Sequence, residues 1–205
     1  MANVIKLRKG LDVNLKGKAA KEEFQVKKPA VYALMPDDFT GMKPKVVVKE
    51  NDVVKVGDSL FVDKNHPEIK FVSPVSGRVT MVERGDRRKV LSVRVEADAE
   101  QQYVDFGKKN VGQMTAQEVK DLLLESGLFG FFRQRPYDVT ANPSDTPKAI
   151  FVSAFNSMPL AADFEYVLRG READFQAGLD ALAKMAKTYL GVSSKQTATA
   201  LTAAK

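Results

Sequence analysis

The stretch from Val48 to Val82, VKENDVVKVGDSLFVDKNHPEIKFVSPVSGRVTMV, constrains the fold more than any other part of the chain. Its apolar residues come in short β-branched runs, and each run is closed by a turn signal. Gly57-Asp58 follows Val53-x-Lys55-Val56 and leads into Leu60-Phe61-Val62, while Ser73-Pro74 and Ser76-Gly77 punctuate the next pair of runs. This punctuation predicts a small, tightly turned β domain.

The same pattern extends on both sides. Short β-branched segments at Val4–Leu7, Val31–Leu34, Val46–Val48, Val53–Val56, Leu60–Val62, Lys70–Val72, Val79–Val82 and Val90–Val95 read as strands. After about residue 112 the period becomes helical. Thr115-Ala-Gln-Glu118 has the form of a capping box ahead of Val119, Leu122 and Leu123, and that helix should end at Gly127. A strand at Ala149–Ala154 follows the Pro-rich loop 136–147. The next helix opens around Pro159 and closes at Gly170. A longer one carries Phe175, Leu179, Leu182, Met185 and Tyr189 on one face, and Thr188–Val192 begins another strand. The division expected is an N-terminal extension (1–29), a barrel domain (30–100), a linker (101–112) and an α/β domain (113–205). One crossover and one further strand make a poor sheet, so the α/β domain reads as cut short and the chain as the N-terminal part of a longer protein.

Composition narrows the chemistry. With 205 residues, 44% of them hydrophobic, the chain can bury a core in each of two domains. No apolar run approaches the roughly 18 residues of a membrane helix, and MANVIKLRKGLDV lacks the apolar stretch of a secretory signal, so a cytoplasmic location is expected. The chain has no Cys and one His, which removes disulfides, thiolate-held iron–sulfur clusters and Cys- or Ser–His nucleophiles. His66, beside Pro67 in a polar stretch, reads as a solvated loop residue rather than a metal ligand. The net charge of +6 is spread as scattered lysines, with 20 basic against 15 acidic residues in 1–100 and 12 against 11 in 101–205. Arg87-Arg88-Lys89 is the dense basic patch after the N-terminus, placed at the tip of the hairpin around Gly85-Asp86. An RNA-binding module would need exposed aromatics beside cationic strands. Phe24, Tyr32, Phe39, Phe61 and Phe71 instead fall where packing accounts for them, so no nucleic-acid partner is expected.

The order VKVGDSLF, Asp63-Lys64, SPVSGRV resembles the flattened barrel of lipoyl and biotinyl carrier domains and their unmodified barrel-sandwich relatives. A wider resemblance is more specific. IKLRKGLDV, LMPDDFTGMKPKVVVKENDVVKVGD, FVDKNHPEIKFVSPVSGRV and ESGLFGFFRQRPYD with KAIFVSAFNSMPLAAD resemble, in order from about Val4 to about Thr188, the A subunit of Na+-translocating NADH:quinone oxidoreductases. The chain is similar, more distantly, to the C subunit of the Rnf complex and the NADH-receiving flavoprotein of complex I. The resemblance implies two domains: an all-β barrel-sandwich hybrid followed by an incomplete, Rossmann-like α/β domain. It further implies a peripheral subunit on the cytoplasmic side of the bacterial inner membrane, in a six-subunit complex that passes electrons from NADH to quinone and moves Na+ outward.

Departures from the flavin-binding relatives bear on cofactors. Those relatives place a Gly-rich loop after the equivalent of Val119–Ser126, where bare amides cradle phosphate. Here the loop is Gly127-Leu-Phe-Gly-Phe-Phe-Arg-Gln-Arg-Pro136, in which Phe129, Phe131 and Phe132 take the space. The acidic pair those relatives use after the next strand is replaced by Asn156-Ser157-Met158-Pro159. Neither FMN nor an iron–sulfur centre is therefore expected, and no catalytic residue is assigned. A quinone, a flat apolar ring with two carbonyl acceptors, asks for aromatic or Met walls and a few donors. The candidate contacts are Phe39 and Met42 after the Asp37-Asp38 turn, and Phe131, Phe132, Arg133, Arg135 and Tyr137 where the phosphate loop would be. The alternative, a carrier module, would modify Lys64, yet Lys64 precedes Asn65-His-Pro-Glu-Ile69, a longer connection than a swinging-arm hairpin.

Overall fold

A computed structural model of the protein describes residues 4–6, 15–17, 20–198 and 201, and the chain divides into two compact units. The larger comprises 26–150 and 177–188. It is built on seven strands: β1 (Val31–Leu34), β2 (Pro44–Val46), β3 (Val53–Val54), β4 (Ser59–Asp63), β5 (Lys70–Val72), β6 (Gly77–Arg84) and β7 (Val90–Ala97). They form two antiparallel sheets, one in the order β1-β7-β6-β3 and one in the order β2-β4-β5. The predicted strands from residue 31 onward are all present, with ends shifted by no more than two residues. The predicted strand at Val4–Leu7 is not: Val4–Lys6 form no strand, and Leu7 lies outside the described residues.

Alternation in these strands is interrupted by bulges. Ser59 pairs with Val72 and Phe61 with Phe71, leaving Leu60 as the extra residue, so Leu60 and Phe61 both lie in the core. In β6, Val79 pairs with Val95 and Met81 with Arg94; Thr80 is extra, and the phase shift turns Met81 outward. Leu60, Phe61, Ile69, Phe71, Val79, Val93 and Val95 are the largest fully buried apolar side chains. The turn serines close one end. Ser76 Oγ donates to Asp98 Oδ2 at 3.2 Å and accepts from Gln102 N at 2.9 Å, while Ser76 N donates to Gln101 Oε1 at 2.8 Å. The stretch 101–112 starts as an addition to the barrel: Val56 N donates to Gln102 O and Val104 N to Val56 O, each at 2.9 Å.

On the β6–β7 ribbon, Glu83 Oε2 accepts from Ser92 Oγ and from Arg94 Nη2, both at 2.7 Å. The Ser92 hydroxyl first, and Arg94 second, hold this carboxyl below the usual carboxylate range. A group whose folded pKa is depressed stabilises the fold above its unfolded pKa, about 4.3 for Glu, and that contribution is lost as pH falls through the lower folded value. Thermal melts from neutral pH into acid should therefore show Glu83→Gln losing less melting temperature below about pH 4 than the parent. Parallel curves would mean that the pairing adds nothing.

Helix α1 (Ala116–Glu125) completes this unit. The expected capping box is present: Thr115 Oγ1 accepts from Glu118 N at 3.3 Å, and Thr115 N donates to Glu118 Oε2 at 2.7 Å. Leu123 and Leu124 pack against the barrel core, and Val119 is buried. Beyond α1 a two-stranded hairpin follows, β8 (Arg133–Gln134) and β9 (Val139–Thr140).

The smaller unit comprises 1–25, 151–176 and 189–205. Strand β10 (Ile150–Ser153) pairs with β11 (Thr188–Gly191), with α2 (Phe164–Leu168) and α3 (Glu172–Met185) between them in the chain, α3 from residue 177 onward being counted in the larger unit. Ile150 N donates to Lys187 O and Ala154 N to Gly191 O; the partners advance together, so the strands run parallel. This is the βααβ order expected of an α/β layer. Three details differ from expectation. The first helix begins at Phe164, not near Pro159, because Asp163 caps it by accepting from Glu165 N and Tyr166 N. Tyr189 is not on the face of α3; that helix ends at Met185, and Tyr189 lies in β11, stacked on Phe151 at 5.2 Å. Phe24, read as a packed aromatic, is 85% exposed.

Candidate functional site

The seven candidate contacts lie on two segments of the larger unit, and the fold brings those segments together. The first is the loop after the helical turn Pro36–Asp38, carrying Phe39 and Met42. The second begins just past the end of α1 at Gly127, which has a left-handed φ of 76°, and continues as a tight turn, Leu128–Phe131. It then forms the β8–β9 hairpin, which has a cis Arg135–Pro136 bond.

The two glycines of this loop serve the barrel. A Cβ on Gly127 would stand 2.6 Å from Val72 Cγ1, and one on Gly130 would stand 2.8 Å from Phe71 Cε1. Both are distances that Cβ atoms do not adopt, so the bare backbone is what lets the turn press against β5. The space a phosphate would need beside these glycines is occupied by strand side chains. Of the three phenylalanines, Phe129 is buried in the core, Phe132 is half-buried and stacks on it at 5.4 Å, and Phe131 is 68% exposed.

Phe131 is the outer end of a series of rings. Phe61 stacks on Phe71 at 5.1 Å, Phe71 meets Phe39 at 4.4 Å, and Phe39 meets Phe131 edge-on at 5.7 Å. Met42 is half-buried against the same cluster. Arg133 is committed within the fold: Nη1 donates to Thr40 Oγ1 at 3.0 Å and Asp138 O at 3.3 Å, and Nη2 donates to Asp38 O at 3.2 Å. Thr140 N donates to Thr40 O at 2.8 Å, so the hairpin is stitched to the first loop. Arg133 is thus a positioning residue. Arg135, ion-paired with Asp138 at 3.1 Å, and Tyr137, 76% exposed, face solvent.

The seven residues form a patch in which Phe131, Arg133, Arg135 and Tyr137 are exposed and Phe39, Met42 and Phe132 are half-buried. A cleft of about 180 Å³ in the same unit is lined by Lys109, Val111, Met114, Leu122 and Ala181 among others, and none of the seven candidates lines it. The chemistry the patch offers is an exposed aromatic surface with one exposed cation and one phenol, suited to a flat ring or to a partner surface. Lys64 is exposed at the start of the Lys64–Ile69 connection, whose backbone is held by Lys64 N on Lys43 O and whose last residue, Ile69, is buried. His66 lies in the same connection, half-exposed, 3.8 Å from Glu68 Oε1.

Sequence reasoning misses the Ser76–Asp98–Gln101 closure and the clamp by Arg133. Ser-Pro-x-Ser-Gly does signal a turn, but the partners lie more than 20 residues away, beyond any local pattern.

Residues 5–98 match the NqrA N-terminal barrel-sandwich hybrid domain, and residues 114–205 match the NqrA second alpha/beta domain. Three proteins named as the A subunit of Na(+)-translocating NADH-quinone reductase are similar along most of the chain. The one from Pseudomonas aeruginosa (strain UCBPP-PA14) is 35% identical over 190 residues, 91% of this chain and 42% of its own length. Those from Serratia proteamaculans (strain 568) and Actinobacillus pleuropneumoniae serotype 5b (strain L20) are 37% identical over 186 residues and 36% over 184, each 89% of this chain and 41% of the relative. The chain thus spans about two-fifths of the length of these relatives.

Proposed function

The chain belongs to the NqrA family, and from that premise we propose that it acts within a peripheral subunit of a Na+-pumping NADH:quinone oxidoreductase complex, on the cytoplasmic side of the membrane. The observation that carries this reading is the match of both domains, in order, to one family. Among the described residues no helix is long and apolar enough to cross a membrane, so attachment through membrane subunits of the complex accords with the fold. Its role is to support assembly and to contribute to the quinone environment through the patch of Phe39, Met42, Phe131, Phe132, Arg135 and Tyr137, held in place by Arg133.

The chain acts without a flavin or iron–sulfur centre of its own. It has no thiolates to hold a cluster, and the filled space beside Gly127 and Gly130 supports the loss of a phosphate cradle. A carrier role through Lys64 gains no support from a connection pinned at both ends.

The test is a calorimetric titration of the purified chain, which should be colourless, with a soluble quinone analogue. Arg135→Ala with Tyr137→Phe should weaken binding about tenfold, equivalent to about 1.4 kcal/mol, with an unchanged melting temperature, since both side chains are exposed. Equal affinity in the double variant, or no binding by the parent, would place the quinone elsewhere and leave this chain an assembly element. Released FMN on denaturation would overturn the flavin-free reading.

A further inference from the structure

The hairpin between β6 and β7 breaks a local rule. Its turn, Asp86-Arg87-Arg88-Lys89, is closed by Lys89 N donating to Asp86 O at 3.1 Å, and φ is positive at both central residues, 53° at Arg87 and 61° at Arg88. Turns of this hand favour Asn-Gly, because a Cβ crowds the backbone there. Two arginines hold the positions instead. Their guanidinium groups are exposed and make no hydrogen bond or ion pair among the described residues; Arg88 takes part only through its carbonyl, which accepts from Arg84. Backbone strain accepted to keep particular side chains points to a use for them outside the fold.

What surrounds the turn indicates that use. Lys89 Nζ pairs with Asp37 at 2.6 Å, and the backbone carbonyl of the next residue, Asp38, accepts from Arg133 Nη2 at 3.2 Å. The Pro36–Asp38 turn is therefore held between two hairpin tips, one bearing Arg87 and Arg88, the other bearing Arg135 and Tyr137. Exposed apolar side chains stand along this rim: Met35 before the turn, Leu91 at the base of the first hairpin, and Phe131 beside the second. Of the nearby carboxylates, Asp37 and Asp138 are paired, while Asp38, which is exposed, and Asp86 stand against the unpaired Arg87 and Arg88 and against Arg133, which donates to backbone and hydroxyl oxygens.

We propose that this rim binds anionic phospholipid headgroups. Arginine matches phosphate oxygens through its planar fork, and a tyrosine on an exposed tip, with exposed phenylalanine and leucine at the hairpins' flanks, suits the headgroup–acyl boundary. Both tips are exposed turns, at 86–89 and 135–138. A bilayer surface makes no demand for a matched contour, whereas a stable protein contact needs about 800 Å² per side of complementary surface. The proposal rests on the reading above only for the presence of a membrane beside the chain.

The experiment is co-sedimentation of the full chain with vesicles of phosphatidylcholine alone or with about one-third phosphatidylglycerol, at low and high salt. Binding to the anionic vesicles, weakened by salt, is expected. Arg87→Asn with Arg88→Gly removes both charges while giving the turn its preferred residues. Binding should fall on the order of 25-fold, about fivefold per cation at an anionic surface, while the melting temperature stays the same or rises. Tyr137→Ser should weaken binding without altering the salt dependence. Equal sedimentation with both vesicle types, or no effect of the Asn-Gly variant, would overturn the proposal. So would a variant that binds vesicles like the parent but no longer co-purifies with an acidic protein partner. Failure of the complex-subunit reading registers separately, as no co-purification of the parent with membrane subunits.

Discussion

Gly77→Ala is expected to destabilise the folded barrel severely. Gly77 opens β6, the strand between β7 and β3, where it pairs with Ala97 on one side and Val54 on the other. A Cβ built there lies 1.8 Å from Glu96 O and 2.8 Å from Glu96 C. These are backbone atoms, which no rotamer change can move aside. Glu96 is itself held, since it pairs with Val31 of β1. Relief would require separating β6 from β7 at the end where Ser76 and Asp98 close the sheet, exposing backbone polar groups that are otherwise bonded. A cost above about 4 kcal/mol is expected, a large share of the roughly 5–15 kcal/mol of a typical domain. Soluble yield and urea midpoint would measure it. Ser76→Ala, which removes hydrogen bonds from the same corner without forcing strands apart, should lose only about 1–2 kcal/mol. A Gly77→Ala protein with the parent's midpoint would mean that the strands yield at little cost.

Phe71→Ala is the second large effect. Its ring is 2% exposed, stacks on Phe61, meets Phe39 at 4.4 Å and fills the space in front of Gly130. Truncation leaves a cavity at the joint between β5 and the Leu128–Phe131 turn, with an expected loss of about 3–5 kcal/mol. The effect should not be confined to global stability. Phe39 and the turn lose their shared support, so amide exchange should quicken across 128–141 more than across β6 and β7. Phe131→Ala, at the exposed end of the same ring series, should cost less than about 1 kcal/mol. Equal losses for the two variants would contradict the inward support described here.

Much of the barrel is legible from local pattern. The turn pairs Gly57-Asp58, Ser73-Pro74 and Ser76-Gly77 mark where the chain reverses, and period-two runs mark the strands between them. The capping box at Thr115–Glu118 locates the start of α1 to the residue, because both of its bonds are made within one turn of backbone. The start of the second helix is harder to read, since Pro159 and Asp163 both have the form of a helix opening. Only the aspartate has a side chain that can accept from the first free amides. Tyr189 misleads for a related reason: its spacing from Met185 fits a helix, and pairing with β10, remote in sequence, draws it into a strand instead.

For the candidate site, the sequence by itself determined the residue types, aromatic rings and arginines in a loop with two glycines, and the chain order that places most of them after α1. Tertiary structure decided their roles. Whether Arg133 is a free donor or a clamp depends on Thr40 and Asp38, more than 90 residues earlier. Whether Gly127 and Gly130 face a ligand or a strand depends on β5. Whether Phe131 is core or surface depends on how far the ring series from Phe61 extends. Local pattern carries backbone preference and apolar period, which act over a few residues. The partner of a side chain is chosen by strand pairing across the whole barrel.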